Sequence, residues 1–566
     1  MRGEIKDEKN QPLQNVKLHL HSNNHYYYSG TNGGFGITTN TLNDSLTVSL
    51  EGYESETVKV NCEQWQYINL KILPSNVSRN RPKLISVTKN FNQTSKVKWY
   101  INDETYFQLV ENEYVDAYKF PNTGFSLNVN KASYSNVRRF INMESIVPPD
   151  AVRTEEMVNY FNLHYREPKG NDIFRMESQL TSCPWDMEKQ LFFLNINARK
   201  LDLNKIPPGN FVFLIDASGS MDMPNRLPLL KAAFQMFVKN LRAIDTVSIV
   251  AYGGTVGVWL QPTSGAEKEK IIQSIEELTA MGDTPGEAAL MTAYTLANKT
   301  FIKGGSNRVI LATDGDFNVG LTSDKAMEDL ITKERQSGVY LTCLGVGMGN
   351  FKNSKLESLS KKGNGNYAYI DDINEAEKVL VKELTQTFYA VADDVFINLH
   401  FNPELVKEYR LIGFDNRRDA VADSTIELEG GEIGSGNSVL AIFELIPASD
   451  KLFKEEIFPK EKLASLEMRY SMCNDTVHLQ YENACIADFT EFKNIDKELQ
   501  FATAVAMFGL KVKQSKYIKH TDWVDIQRIA AESHNPNSFL QTEFLQLIDK
   551  AEELYSSKKR KKAKRN

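Results

Sequence analysis

The sequence after residue 209 alternates short apolar runs with amphipathic stretches, and this alternation limits the fold more than any other feature. The apolar runs lie at residues 211–215, 246–252, 308–313 and 339–345. Strands that are apolar on both faces are typical of a parallel sheet covered by helices on both sides. The amphipathic stretches, at residues 227–241, 268–278 and 287–298, have helical spacing. We therefore predict a doubly wound α/β domain over residues 209–388.

Segments with carboxylates and hydroxyls are expected at the carboxyl edge of this sheet, where open α/β folds bind their ligands. The first apolar run leads directly into Asp216, Ser218 and Ser220, and a later run leads into Asp314. Thr284 precedes a predicted helix and should reach the same edge. Asp and Ser are also common in loops and at helix starts, so the motif alone is weak. The preceding strands and the order of the segments favour one site made of all five residues.

Two carboxylates and three hydroxyls, without histidine or cysteine, select a hard cation. With added water ligands the set suits octahedral Mg²⁺ or Mn²⁺. It suits Ca²⁺ less well, because Ca²⁺ prefers more carboxylates and a roomier cage. The two carboxylates balance a dication and leave one coordination position open. We expect an Asp or Glu side chain of a partner protein to fill that position.

The same segments resemble a von Willebrand factor type A domain. Residues 213–221 read FLIDASGSM and residues 312–316 read ATDGD. The resemblance implies a metal-ion-dependent adhesion site at the five positions named above, each of which carries the family's residue type. It also implies that the loop carrying Thr284 shifts between closed and open states.

The flanks of the α/β domain resemble a bacterial subfamily of such proteins. The similar segments are residues 132–134, 136–140, 155–161 and 183–185 on one side, and 409–414 and 431–434 on the other. Residues 132–143 and 153–161 have helical spacing, and alternating strands are predicted at residues 395–401, 438–445 and 463–470. We predict mixed α+β regions at residues 105–208 and 389–557.

The chain begins with strand-like sequence. Residues 16–20 and 46–50 alternate with period two between turn clusters, which predicts a small antiparallel β sandwich over residues 1–74. Residues 10–13, 32–35 and 51–53 resemble the carboxypeptidase regulatory-like domain, a transthyretin-like module that is not itself a peptidase. A linker at residues 75–104 and a basic tail at residues 558–566 complete the predicted multidomain architecture.

Charge and composition exclude several classes of protein. The net charge is −7, although the last nine residues carry seven Lys or Arg, so the body is acidic and unsuited to nucleic acid. No apolar run reaches the roughly 18 residues of a membrane helix. The five cysteines include no CxxC pair, which argues against a thiolate zinc site. Cys473 and Cys485 lie on a predicted strand–turn–strand and are candidates to pair in an oxidising compartment.

These features favour a non-enzymatic protein that binds a protein partner through a divalent cation, as adhesion proteins do. The alternative is an assembly factor that works with an AAA ATPase. A metal-dependent hydrolase is the least favoured, because neither HExxH nor GxSxG is present.

The expected location is the cell envelope, either the periplasm or the surface. The resemblance of the β sandwich to modules of envelope and secreted bacterial proteins supports it. The amino terminus has no apolar leader and would, taken literally, favour the cytoplasm. The envelope location therefore requires a leader, or a membrane anchor carried by one, that is absent from this chain.

Overall fold

The computed structural model describes two compact units, residues 1–98 and 99–566. The described residues are 1–7, 10–22, 25–39, 41–50, 53–71, 104–202, 205–253, 255–282, 286–315, 324–348, 351–415, 431–449, 461–472 and 477–563. Of the predicted linker, residues 75–104, only residue 104 lies within these ranges. Cys473 also lies outside them, so its pairing with Cys485 stays a prediction.

The amino-terminal unit packs two β-sheets on each other. Its strands are β1 (Arg2–Asp7), β2 (Lys17–Leu20), β3 (His25–Tyr28), β4 (Gly34–Gly36), β5 (Asn43–Ser49), β6 (Glu56–Asn61) and β7 (Trp65–Leu70). The sheet orders are β4-β1-β7 and β3-β2-β5-β6, and Ile5, Leu18 and Val48 lie in the shared core. The predicted sandwich is confirmed, but an antiparallel arrangement is wrong for β1 and β7, which run parallel. The two strands are far apart in sequence, so no tight hairpin forces them to be antiparallel.

The second unit alternates regions of mixed structure with the α/β domain. Its strands are β8 (Val115–Asp116), β9 (Asn122–Ser126), β10 (Phe174–Ser182), β11 (Gln190–Ala198), β12 (Gly209–Asp216), β13 (Thr246–Gly253), β14 (Thr255–Ser264), β15 (Ser306–Thr313), β16 (Tyr340–Gly345), β17 (Tyr367–Tyr369), β18 (Ala390–Phe401), β19 (Val406–Leu411), β20 (Gly431–Gly434), β21 (Ser438–Pro447), β22 (Lys462–Ser471), β23 (His478–Ile486) and β24 (Phe489–Thr490). Its α-helices are Ala132–Asn142, Thr154–Asn159, Leu227–Lys239, Lys268–Glu276, Gly286–Lys299, Asp324–Arg335, Asn353–Lys362, Ile373–Glu377, Leu384–Phe388, Lys497–Val512, Trp523–Ser533 and Phe539–Ala563.

The sheet of the α/β domain has the strand order β14-β13-β12-β15-β16-β17. All neighbouring pairs are parallel except β13 and β14. The apolar runs predicted as strands form β12, β13, β15 and β16, so the doubly wound prediction is confirmed. Strand β14 was not predicted, because it is an edge strand with many exposed residues and lacks a continuous apolar run.

Both faces of this sheet are covered by helices, which explains why residues 211–215 of β12 are all apolar. Phe213 and Ile215 pack into the core on one face, together with Phe234 of the helix Leu227–Lys239. Val212 and Leu214 point into the core on the other face, as the two-residue period of a strand requires. The carboxyl ends of β12 and β15 lie side by side, so Asp216 and Asp314 reach the same edge of the sheet.

The regions on either side of the α/β domain share two sheets. One has the order β24-β10-β11-β21-β19-β8, and the other has the order β20-β18-β22-β23 with β9 paired to β18. Strands that precede the α/β domain therefore pair directly with strands that follow it. The helices before and after the domain, including Thr154–Asn159 and Lys497–Val512, form a common hydrophobic core.

The last helix, Phe539–Ala563, continues into the predicted basic tail. In the part of the chain that the structure describes, no helix is long and apolar enough to cross a bilayer.

Candidate metal centre

The centre begins at the end of β12, which is buried along its whole length. Asp216 is the last residue of this strand, and the chain then passes into a short 3-10 helix, Gly219–Met221. The backbone N–H of Ala217 donates to the carbonyl of Tyr252 on β13 at 2.7 Å. This contact anchors the turn after β12 to the neighbouring strand.

The carboxylate of Asp216 is held by two hydrogen bonds. Its Oδ1 accepts from the backbone N–H of Ser218 at 2.9 Å, and its Oδ2 accepts from the hydroxyl of Thr313 at 2.7 Å. The Thr313 hydroxyl in turn accepts from the backbone N–H of Gly315 at 3.1 Å. Sequence reasoning missed Thr313 as a site residue, although its position at the end of a strand beside Asp314 is a signal that could have found it.

The two predicted serine ligands are neighbours in space. Their hydroxyl oxygens lie 3.2 Å apart, with Ser218 buried and Ser220 exposed. The backbone N–H of Gly219 donates to the carbonyl of Gly282 at 3.0 Å. Gly282 is thus held against the turn that carries Ser218 and Ser220, which we call the serine turn. Thr284 itself lies outside the described residues.

Asp314 directly follows β15 and is buried in an ion pair with Arg226. Nη1 of Arg226 also donates to the carbonyl of Ser220 at 2.7 Å, and its Nη2 donates to the carbonyl of Met348 at 3.1 Å. Arg226 directly precedes the helix Leu227–Lys239. No sequence spacing predicted it, because its carboxylate partner lies 88 residues further along the chain.

Burial dominates the electrostatics of the centre. It raises the pKa of Asp216 to about 6, and the hydrogen bonds from Ser218 and Thr313 act in the opposite direction. The charge of Asp314 raises this pKa further. The Tyr252 hydroxyl also has a pKa well above its ordinary value, chiefly through burial and then through the charge of Asp216. A cation placed beside Asp216 would favour the ionised form of its carboxyl group.

The structure brings Asp216, Ser218, Ser220 and Asp314 to one edge of the sheet. Their role as metal ligands stays a prediction, and their chemistry fits the implied cation, since carboxylate and hydroxyl oxygens suit a hard dication.

Among the described residues, His164, Asp496 and Glu498 form a separate cluster whose side chains lie close enough together to hold a metal ion. The guanidinium of Arg166 already forms ion pairs with both carboxylates of that cluster. Its nitrogens lie 3.0 Å from an oxygen of Asp496 and 3.6 Å from an oxygen of Glu498.

Family models match most of the chain. The von Willebrand factor type A domain matches residues 210–383, and a von Willebrand factor model matches residues 100–192. The CarboxypepD_reg-like domain matches residues 1–81, and the C-terminal model of the uncharacterized protein YfbK matches residues 386–554. These matches confirm the resemblances stated for the sandwich, the α/β domain and its flanks.

The Escherichia coli (strain K12) protein YfbK is 37% identical to this chain over 465 residues, which cover 79% of this chain and 81% of YfbK. The chain belongs to the YfbK family of von Willebrand factor type A proteins. Proteins with this domain commonly mediate protein interactions, and the domain commonly binds a divalent metal.

Two further matches are more distant in sequence. The magnesium-chelatase 67 kDa subunit of Chlorobaculum parvum is 26% identical over 192 residues, which cover 31% of this chain and 30% of that protein. A solved structure of a von Willebrand factor type A protein from Catenulispora acidiphila covers 65% of this chain and 89% of its own, at 16% identity and a TM-score of 0.39.

Proposed function

We propose that this protein is a non-enzymatic binding protein whose type A domain engages a protein partner through a divalent cation. The observation that carries the proposal is the arrangement around Asp216. Its carboxylate is oriented by Ser218 and Thr313, and the Ser218 and Ser220 hydroxyls lie 3.2 Å apart beside it. Oxygen donors fixed in advance at a strand edge are suited to a cation that binds without rearranging the fold.

The residues that would hold the cation are Asp216, Ser218, Ser220, Thr284 and Asp314. A bound cation would supply an electrophilic centre with a coordination position open to an incoming oxygen. Mg²⁺ or Mn²⁺ suits this set, and Ca²⁺ suits it less well, because hydroxyls and few carboxylates favour a small ion that keeps water ligands. The partner would contribute an Asp or Glu side chain.

A binding role agrees better with this centre than hydrolysis does. Catalysis by a metal-bound water needs a general base within hydrogen-bonding reach. The Asp216 carboxylate is committed to Ser218 and Thr313, and Asp314 is committed to Arg226. Neither carboxylate of the predicted ligand set is therefore placed to serve as that base, which favours binding over hydrolysis.

A second candidate is an assembly factor that works with an AAA ATPase. The match to the magnesium-chelatase 67 kDa subunit favours it, because that protein is by name one subunit of a larger enzyme. A stable ATPase partner in purified complexes would support this role. A partner on the envelope or the cell surface would support the adhesion role, and with it the envelope location that we prefer over the cytoplasm.

The test is a pull-down from an extract of the organism that encodes this protein. The full chain is immobilised and the extract is applied once with Mg²⁺ and once with EDTA. We expect specific partners in Mg²⁺ that are lost in EDTA, and their acidic residues should be required for capture. Retention of the same partners in EDTA would mean that binding does not use the metal.

A further inference from the structure

A buried arginine lies beside the candidate metal centre. We propose that Arg226 sets the charge of this centre, so that the loaded site carries one net positive charge and is completed by a single carboxylate. The inference deepens the proposed function and rests on it. It assigns a role to a residue outside the predicted ligand set.

The fold builds a fixed position for the Arg226 guanidinium. Its hydrogen bonds reach the serine turn at Ser220, the end of β15 at Asp314 and the segment after β16 at Met348. Gly347 has φ of +81°, and a Cβ added there would lie 2.6 Å from Nε of Arg226. A glycine is required at that position both for the left-handed backbone and for the close approach of the guanidinium.

Arg226 lies beside the predicted ligands and does not fill their place. Its hydrogen-bond partners in the described chain include only one of the two carboxylates, that of Asp314. The Asp216 oxygens accept from Ser218 and Thr313 instead. The carbonyl contacts of Arg226 hold it in position independently of Asp314, so the guanidinium would remain when a cation binds.

Counting Arg226 changes the charge of the centre. The predicted ligands alone carry two negative charges, which a dication cancels. With the guanidinium included, the protein groups of the centre carry one net negative charge, and a bound dication would change this to one net positive charge. A buried net charge is unfavourable unless it is compensated. One carboxylate restores neutrality, a neutral amide does not, and a dianion leaves an excess of negative charge.

The test compares variants of the full chain that remove or keep this charge. Arg226→Met removes the charge at similar length, and Arg226→Gln removes it while retaining hydrogen bonding. Arg226→Lys keeps the charge. The control is Arg242→Met, because Arg242 pairs with Asp245, and Asp245 accepts from the backbone N–H of Gly209 at the opposite end of β12. Melting temperatures identify variants that are folded.

Two quantities are measured for each folded variant. Calorimetry gives the affinity for Mn²⁺, and the water-proton relaxation of the Mn²⁺-loaded protein reports binding of acetate, with acetamide as the neutral comparison. Arg226→Met and Arg226→Gln should bind Mn²⁺ about tenfold more tightly than the unsubstituted protein, as expected for loss of one positive charge several Å from a dication. They should bind acetate more weakly. Arg226→Lys and Arg242→Met should match the unsubstituted protein in both measurements.

Unchanged Mn²⁺ and acetate affinities in both charge-removing variants would overturn the inference and leave the proposed function intact. Binding of Mn²⁺ only after Arg226 is replaced would show that the guanidinium substitutes for the metal, and this would also overturn the inference. A complete lack of Mn²⁺ binding by every protein, including Arg226→Lys, would mean that the proposed function itself is wrong.

Discussion

The hydroxyl of Thr313 donates a hydrogen bond of 2.7 Å to Oδ2 of Asp216, and this bond joins β15 to β12 where the candidate metal centre begins. Both residues are buried. The bond fixes the rotation of the carboxylate that the family resemblance places in the metal site. The Ser218 backbone fixes the other oxygen, so the protein itself determines the direction of both lone-pair sets.

Thr313→Val should weaken metal binding and destabilise the fold. The substitution keeps the shape of the side chain but leaves Oδ2 of Asp216 without its hydroxyl donor. Loss of one partner of a buried polar pair typically costs about 1–3 kcal/mol. Thr313→Ser, which keeps the hydroxyl, is the matched control. Calorimetry with Mg²⁺ and thermal unfolding check both effects, and equal Mg²⁺ affinity in Thr313→Val would contradict the positioning role.

Thr284→Ala should weaken partner binding while leaving the melting temperature nearly unchanged. In the resembled family the loop carrying this residue shifts between two states, and a ligand selects the state that it binds better. Thr295→Ala is the control, because Thr295 is an exposed threonine of the following helix whose hydroxyl donates to the Met291 carbonyl one turn earlier in that helix. A large loss of stability with unaltered partner capture would show that Thr284 is structural.

Arg138→Met should destabilise the second unit by about 3–5 kcal/mol, the usual cost of breaking a buried ion pair. Arg138 is buried and donates to Asp371 of the α/β domain, Glu375 in the following helix and Glu543 near the carboxyl terminus. Arg528→Met, at an exposed position, should have little effect. Denaturant unfolding measures both variants. A near-neutral Arg138→Met would show that these regions do not depend on the network.

Glu156 should make stability depend on pH. Burial raises its pKa to about 8, Arg153 opposes this, and Glu357 and Glu155 raise the pKa further. Because the folded protein favours the neutral acid, this contribution to stability is complete below about pH 4.5 and is lost as the pH rises towards 8.

Glu156→Gln is neutral at every pH, so relative to the unsubstituted protein it should gain stability between pH 5 and pH 8. Thermal melts across this range provide the measurement. Glu188→Gln, at an exposed acidic residue, serves as the control and should show no such trend. A constant difference between Glu156→Gln and the unsubstituted protein would mean that Glu156 is ionised throughout.

The local features of the α/β domain could be predicted because each depends on the order of a few consecutive residues. Residues 211–215 of β12 form a continuous apolar run, and Asp216 follows that run directly. Both the strand and the position of the carboxylate therefore follow from the order of residues. Edge strand β14 could not be predicted in this way, because exposure on one face removes the apolar run that marks a central strand.

Contacts between distant segments could not be predicted from the sequence pattern. Strands β11 and β21 pair across the whole α/β domain, with Leu191 opposite Glu444. No turn or spacing encodes that register. The same holds for Arg226, whose pairing with Asp314 depends on how a helix start and a strand end meet in three dimensions. The net charge of the centre could therefore not be counted from the sequence, because only the structure shows that Arg226 lies beside Asp314.

Titration of the full chain with Mg²⁺ by calorimetry tests the central claim most directly. The unsubstituted protein should bind one Mg²⁺, and the Asp216→Ala, Asp314→Ala double variant should show no binding while remaining folded. Asp222→Ala, at an exposed acidic residue of the same segment, should bind as the unsubstituted protein does. Equal Mg²⁺ binding by the double variant would contradict the assignment of the site.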